Sequence, residues 1–520
     1  MAPTREDSRA MYLPTVQQKS RIIENGNSPW HIKARETLLE LFEVGLAAVN
    51  PFSAVKRHVV FNSDAITIKS GDGIACTFPL EDVGRIFVVG GGKATARMAW
   101  ALEDIFGDRI KAGFINVPAG QLRQDPPRLK RIKPMGASHP LPDQAGVDGV
   151  KKMIELSREA RSKDLVFCLI SGGGSALMPQ PADDITLEDK RVLNKLLIES
   201  GATIHEINVV RKHASMVKGG WLARHFQPAR VVGLLLSDVV GDDISTIASG
   251  PTAPDPSTFS EAVNIIDKYN LLERIPARVR KYFVQGMRNE VPETPKPEDK
   301  MFNNVTNVVI GSAQVAANEI VRVARSSMNI KYACTVTSRL EGEAAQVGKE
   351  LHDFIKCIVD RKPKVRIPTG HDTASADTNI LIEYGRPGNG EGDSLLLLTG
   401  ETTVTIKGNG IGGRNQELLL SFLCNAAEQS KSRFAILSCG MDGIEGNSTA
   451  AGALIDDFSR QRAMDKSIDL VKALERNDSN AVFTALGDAI ITGQTGTNVN
   501  DITMILIDVP VRNVRAEWKL

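Results

Sequence analysis

The sequence predicts an α/β protein of two domains, the N-terminal one built on a mostly parallel sheet covered on both faces. Three observations carry this expectation. Five runs rich in β-branched residues are apolar throughout rather than alternating: RIFVVG ending at Gly90, AGFINV ending at Val117, LVFCLI ending at Ile170, VVGLLL ending at Leu236 and NVVIG ending at Gly311. Continuous apolarity marks strands buried on both faces. Helical patterns separate the runs, as in successive βαβ units, and 520 residues exceed what a single hydrophobic core sustains.

Composition narrows the function. Apolar residues make up 42% and charged residues 24%, and 63 basic against 62 acidic side chains leave a net charge of +1. Nothing in that balance favours nucleic acid or disorder, so a small-molecule partner is the expectation. No apolar run approaches the ~18 residues of a membrane span. The first 27 residues mix Arg5, Arg9, Lys19 and Arg21 with Glu6 and Asp7 and lack an apolar stretch, unlike a secretory signal. The cytoplasm is the expected location, with the mitochondrion as the alternative. Six cysteines without CxxC spacing read as free thiols of a reducing compartment.

Taken in order, residues 1–30 read as an N-terminal tail, 31–300 as the larger α/β domain and 301–520 as a C-terminal α/β region. Two stretches, Met287–Lys300 and Asp360–Asp393, are rich in Pro, Gly and charge and read as exposed linkers. After the second, SLLLLTG, TTVTI, RFAILSCG and ITMILIDVP resume the strand pattern, with helices starting near Asn415 and Ser467.

The chemistry gathers where strands end, which is where α/β sheets bind ligands. VVGGGKATA puts three glycines and Lys93 after a strand, with a helix expected through Met98 and Leu102. It is no Walker A loop, since Phe87 and Ala94 stand where glycine and Ser/Thr are required. Nor does it complete GxGxxG, because Thr95 holds the last glycine's place. An anion nest with Lys93 as its point charge is the functional reading, and a solvated lysine the bland one. LISGGGSALMPQP removes every side chain from one turn at Gly172, Gly173 and Gly174, flanked by Ser171 and Ser175. Backbone N–H groups can then approach an anion, although a tight turn explains the glycines equally well.

That turn carries no cation of its own. INVVRKHASMVKGG offers Arg211, Lys212 and Lys218 at helical spacings, which would set Arg211 and Lys218 on one face toward phosphate oxygens. LLLSDVVGDD ends a strand with Asp238 and places Asp242 four residues on; carboxylates there can hold the Mg2+ that bridges nucleotide phosphates, or cap turns. In GGRNQE, Arg414 stands at a probable helix start after Gly412 and Gly413. A cation there opposes the helix dipole, and a nearby anionic ligand would remove the conflict. Asp442, Asn498, Asn500 and Asp501 add oxygens and amides on glycine-flanked turns. Of eight histidines only His139, in GASHPLPD, and His213 fall inside a motif, and a lone histidine is more often a satisfied structural residue than a base.

Together GGGKA, ASHPLPD, LISGGGSALMPQP, INVVRKHASMVKGG, SDVVGDD, IASGPT, GGRNQE, MDGIEG and TGTNVND resemble the class II glycerate kinases, in the same order over residues 35–510. The resemblance implies a Rossmann-like N-terminal domain, a smaller C-terminal MOFRL domain over about 391–512, and an active site in the interdomain cleft. It implies phosphorylation of D-glycerate by ATP with Mg2+, usually at the 2-hydroxyl. Carried onto this chain, it points to Lys93 and Arg414 as catalytic. Ser171, Gly172, Gly173, Gly174, Ser175, Arg211, Lys212, Lys218 and Asn498 are then the nucleotide-binding expectation, with Asp238 and Asp242 on the metal and Asp238 also counted among the catalytic residues. MDGIEG departs from the family pattern at Met441 and Glu445, which puts Glu445 in doubt as a ligand. The rivals are a hydroxypyruvate reductase and a non-catalytic binding protein on the same fold. A homo-oligomer is compatible with the sequence, which has no feature that sets the number of copies.

Overall fold

The computed structural model describes residues 14–516 apart from 72, 125–128, 370–378, 386–391 and 427–431. The chain divides into two compact units, the first Pro51–Gly311 and the second Tyr12–Asn50 together with Ser312–Leu520.

The first unit is organised by six strands: β1 (Ile86–Gly91), β2 (Ile110–Pro118), β3 (Ile132–Ala137), β4 (Leu165–Ile170), β5 (Arg230–Leu236) and β6 (Val305–Gly311). All neighbours are parallel, in the order β3-β2-β1-β4-β5-β6. This is the doubly wound order, in which the direction of winding reverses between β1 and β4 and opens a crevice at their carboxyl ends. β1 and β4 are buried at every residue, which explains their unbroken apolar sequences. Gly90 pairs with Leu169 and Gly91 with Ile170, so the two glycine turns leave the sheet at the same level.

β3 has no apolar run to announce it. Its Pro134 is tolerated because the strand lies at the sheet edge, where a missing N–H costs no ladder bond. β6 shows that this unit continues to Gly311, past the expected end at residue 300. The stretch read as a first linker is pinned to the unit: Glu293 accepts from Phe259 N at 2.8 Å and from His213 Nε2 at 3.1 Å, and Thr294 Oγ1 donates to Asp255 at 3.0 Å.

The second unit contains β7 (Tyr332–Leu340), β8 (Ser394–Gly400), β9 (Phe434–Gly440), β10 (Gly452–Asp456), β11 (Ala489–Ile490) and β12 (Asp501–Ile507). Their order is β7-β8-β12-β9-β10-β11, and only β7 and β8 run parallel. Helices Ala344–Val359 and Arg414–Asn425 supply Leu351, Phe354, Leu418 and Phe422 to a core shared with Ile436 and Ile505. The expected second linker holds two strands, Lys364–Arg366 and Asn379–Tyr384, which form an antiparallel sheet with Val511–Ala516. Its residues 370–378 and 386–391 lie outside the described residues. TTVTI forms no strand: Thr403 makes an isolated bridge to Glu343, whose carboxylate binds Thr405 N and Oγ1, both at 3.0 Å.

Helix Pro29–Ala48, expected in the N-terminal domain, belongs to the second unit. It buries Leu38, Leu39, Leu41, Phe42 and Leu46, and a buried ion-pair network ties it in. Arg35 is fully buried, and its guanidinium donates to Asp456 and Asp488, each at 2.7 Å, and to Ile22 O at 2.9 Å. Arg462 meets the same two carboxylates at 3.0 and 2.9 Å. Buried charges are tolerated only when paired in this way. No single helix among the described residues is long and apolar enough to cross a membrane.

Candidate active site

The glycine turn after β1 and the glycine turn after β4 are stitched to each other. Lys93 N donates to Gly172 O at 2.9 Å, and Ala94 N donates to Ser171 Oγ at 3.0 Å. Thr95, in the last glycine's place of the incomplete dinucleotide fingerprint, is buried with its hydroxyl 3.3 Å from the same Ser171 Oγ. Ser171 therefore caps the approach of the first turn. Gly173 has φ +80°, and a Cβ there would stand 3.0 Å from the His139 ring and 3.5 Å from Lys93 Cγ. Glycine is required by both the backbone and the close approach. Among the described residues the N–H groups of Gly172 and Gly173 have no hydrogen-bond partner. Adjacent unsatisfied amides of this kind form an anion nest.

Ser175 is held from below. Its hydroxyl lies 2.9 Å from Ser249 Oγ, which donates to Asn208 Oδ1 at 3.0 Å. Ala248 and Ser249 both have positive φ, 51° and 62°. Two such non-glycine residues in succession cost of order 1–3 kcal/mol each; the Ser175–Ser249–Asn208 chain and the bond from Gly219 N to Ser249 O, at 2.9 Å, hold them there.

The cations divide. Lys93 is half-buried, and among the described residues its ammonium has no partner. Lys218 does not share a helix with Arg211, as the spacing suggested. Helix Ile204–His213 ends first, and Lys218 reaches back from the following loop to donate to Ser175 O at 3.0 Å. Burial, then Lys190 and Arg211, hold the Lys218 ammonium well below the usual lysine range. Lys190 was not anticipated. It lies on the apolar face of Leu187–Glu199, one turn before Leu193, and donates to Pro179 O at 3.1 Å. Burial, reinforced by Arg211, pulls it down to about 7. Arg211 donates to Asn194 Oδ1 at 2.9 Å, and burial lowers it too. These three cations are bonded to neutral oxygens and repel one another, so an incoming anion relieves them. Lys212, expected to join them, is instead committed to Asp255 at 3.4 Å, which also accepts from Ser257 Oγ and Thr294 Oγ1.

Asp238 and Asp242 follow the carboxyl end of β5, Asp242 with φ +56°. Among the described residues no group of three or more acidic, histidine or cysteine ligands forms a preassembled metal cage. Hard carboxylate oxygens on one loop nevertheless suit Mg2+, which is commonly held by one or two carboxylates, several waters and substrate phosphates.

In the second unit, Arg414 opens helix Arg414–Asn425. Its Nε and Nη2 grip Asp501 at 2.5 and 2.8 Å, while Nη1 meets Glu401 at 2.6 Å. The dipole conflict foreseen at this position is answered by the protein itself. Glu445 accepts from Asn415 N at 2.7 Å and Gln416 N at 3.0 Å, closing the helix N-terminus, so no ligand is required there. Gly413 permits this, since a Cβ would lie 2.4 Å from Glu445 Cγ. Burial works against Arg414, but Asp501 and Glu401 raise its pKa; burial in turn pushes Asp501 up to about 6 despite Arg414. Asn498 is buried in the loop before β12. The MDGIEG and TGTNVND turns are joined, with Thr495 Oγ1 donating to Met441 O at 2.6 Å and Met441 N to Asn500 O at 3.0 Å.

Residues 37–284 match a family model described as a domain of unknown function (DUF4147), and residues 394–501 match the MOFRL family. A glycerate 2-kinase of Pyrococcus horikoshii is 37% identical over 474 residues, 91% of this chain and 97% of that protein. The chain belongs to the glycerate kinase family. The crystal structure of the Thermotoga maritima glycerate kinase superposes with a TM-score of 0.73 at 32% identity, covering 91% of this chain and 99% of that one. An Agrobacterium vitis member of the same group, named provisionally as a hydroxypyruvate reductase, is 35% identical over 95% of this chain and all of its own length. In this glycerate kinase family chain the paired glycine turns, Lys93 and the Lys190–Arg211–Lys218 group all lie in the first unit, while Arg414 and Asn498 belong to the second.

Proposed function

We propose that this protein transfers the γ-phosphoryl group of ATP to the 2-hydroxyl of D-glycerate, giving 2-phosphoglycerate and ADP. The observation that carries the reading is the meeting of two glycine turns at the β1/β4 switch point, with unpaired amides at Gly172 and Gly173 and cations lacking an acidic partner beside them. Phosphoryl transfer asks little covalent chemistry of a protein. Positioning and neutralisation of charge on the transferring group carry most of the rate.

In this scheme the amides of Gly172 and Gly173 cradle phosphate oxygens, Lys218 and Arg211 neutralise them from beneath, and Lys93 faces the transferring group. Ser171 and Ser175 keep the turn in shape through Ala94 N and Ser249. Mg2+, when bound, supplies further charge neutralisation on the phosphates, and Asp238 with Asp242 would hold it. Arg414 is the second catalytic cation, its guanidinium fixed in one orientation by Asp501 and Glu401. Asn498 is assigned to the nucleotide, and Lys212 to the internal pair with Asp255.

A reductase is disfavoured by what the fingerprint lacks. Dinucleotide sites keep an acidic residue for the ribose roughly 20 residues beyond the glycines. Here that distance falls on β2, Ile110–Pro118, which has no carboxylate, and the Nδ2 of its buried Asn116 is committed to Gly146 O and Leu177 O at 2.8 and 2.7 Å. The six cysteines are free thiols, which fits the reducing, cytoplasmic setting of this reading.

The test is direct. Purified protein with ATP, Mg2+ and D-glycerate should release ADP only when glycerate is present, and phosphorus NMR should show the phosphate on the 2-oxygen. Oxidation of NAD(P)H by hydroxypyruvate without glycerate-dependent ADP release would overturn the reading.

A further inference from the structure

Two histidines stand inside sequence motifs, and the structure treats them in opposite ways. His213 is satisfied on both ring nitrogens, by Val209 O at 2.8 Å and Glu293 at 3.1 Å. His139 has no hydrogen-bond partner for its ring among the described residues. It follows the carboxyl end of β3, and its Cδ2–Nε2 edge faces Gly173, each atom 3.0 Å from where a Cβ would stand. Lys93 Cγ lies 3.5 Å from the same point. The turn whose amides have no partner thus has beside it a lysine and an imidazole that, among the described residues, have none either.

The loop carrying His139 is braced at positions other than the ring. Ser138 Oγ donates to Asp143 Oδ2 at 2.8 Å, Asp143 caps helix Gln144–Ser157 through Gly146 N at 3.0 Å, and Arg191 Nε donates to Pro142 O at 2.9 Å. Arg191 is itself paired with Glu188 at 3.3 Å. His139 is exposed, so the fold holds its loop in place while leaving the ring open to a ligand.

We propose that His139 is the general base of the reaction, its Nε2 taking the proton of the glycerate 2-hydroxyl as that oxygen attacks the γ-phosphorus. This rests on the kinase reading above. As the new O–P bond forms, the bond from the γ-phosphorus to the β,γ-bridging oxygen breaks and its electron pair leaves with ADP. The proton moves to His139, and the imidazolium returns it to water after product release. Burial, then the charge of Lys93, hold His139 below the ordinary histidine range, so the ring is neutral and able to accept a proton at neutral pH. Lys93 is the charged group that faces the ring; Asp143 on its own loop is engaged by Ser138, and Arg191 by Pro142 O and Glu188.

The experiment compares wild type with His139→Asn and His139→Gln, measuring glycerate-dependent ADP release from pH 5 to 9, with circular dichroism and thermal melting to confirm folding. Wild-type kcat/KM, which reports the free enzyme, should fall on the acid side with a midpoint below ~6.5, as protonation removes the base. Both variants should lose roughly 10²–10⁴ in kcat with little change in KM for ATP, and the acid limb should disappear. A variant that keeps kcat within about threefold, raises only KM, or retains the acid limb overturns the assignment. Absence of glycerate-dependent ADP release from wild type itself would instead overturn the kinase reading.

Discussion

Replacing Lys190 by Met should make the protein's stability respond differently to pH, by an amount set by the burial of one ammonium. Lys190 is 2% exposed and, among the described residues, has no carboxylate partner; it donates to Pro179 O and, at 3.4 Å, to Gln180 O. Gln180 O also accepts from Ser215 Oγ and Met216 N, at 3.1 and 3.2 Å, so Pro179 O is the carbonyl that chiefly loses a donor in the variant. Burial lowers the folded-state pKa to about 7, against 10.5 when unfolded. Between those values the unfolded chain holds a proton that the folded chain has lost, so stability rises with pH, by roughly 1.4 kcal/mol per unit. At and below pH 7 the wild type carries the whole penalty. From pH 7.5 to 9.5 it should gain about 3 kcal/mol on Lys190→Met, which has no such group. For a unit of this size that is roughly 6–12 °C in relative Tm. Differential scanning calorimetry of both proteins at the two pH values reads it. A Tm difference that does not change with pH would refute the uncompensated burial of Lys190.

Other outcomes follow from the same geometry. Lys93→Ala and Arg414→Ala should each lose at least about a hundredfold in turnover while remaining folded; near-normal turnover in either removes that residue from the mechanism. Gly173→Ala puts a side chain at φ +80° and 3.0 Å from the His139 ring, at a backbone cost of roughly 1–2 kcal/mol, and its kcat should fall at least about tenfold with a Tm drop of only a few degrees. Arg35→Ala leaves Asp456 and Asp488 with Arg462 as their remaining cation. It should destabilise the second unit by about 3–5 kcal/mol, seen as an earlier melting transition; an unchanged transition would show that the pairing contributes nothing.

The central strands were legible because burial on both faces forces a continuous apolar run, and the glycine turns because only glycine serves where two turns approach closely. β3 and the sheet Lys364–Arg366, Asn379–Tyr384, Val511–Ala516 were not, since edge and half-exposed strands leave no such mark and tolerate proline and charge. Arg414 was legible as an anomaly, but its resolution was not. The opposing carboxylates, Asp501 and Glu445, lie 87 and 31 positions away, across separate turns. Lys190 left a trace, a lysine three residues before Leu193 and seven before Leu197 on an otherwise apolar face, which reads from sequence as an ordinary charged helix residue. Nothing local distinguishes His139 from His213; only the placement of Val209, Glu293 and Gly173 around them does.

The pairing of Arg35 with Asp488 also bears on how the chain is made. The first unit is an insertion: the polypeptide begins the second unit, leaves it at Asn50, builds all of Pro51–Gly311 and then returns. Arg35 therefore precedes Asp488 by 453 residues, roughly 20–90 s at the usual pace of synthesis. Once Gly311 is made the inserted unit has its whole sheet and can mature, while Arg35 still waits for Asp456 and then Asp488 to complete its pairing. Termination between Gly311 and Asp488 yields a product with a complete first unit and a permanently unfinished companion, a species for chaperones or proteases to intercept.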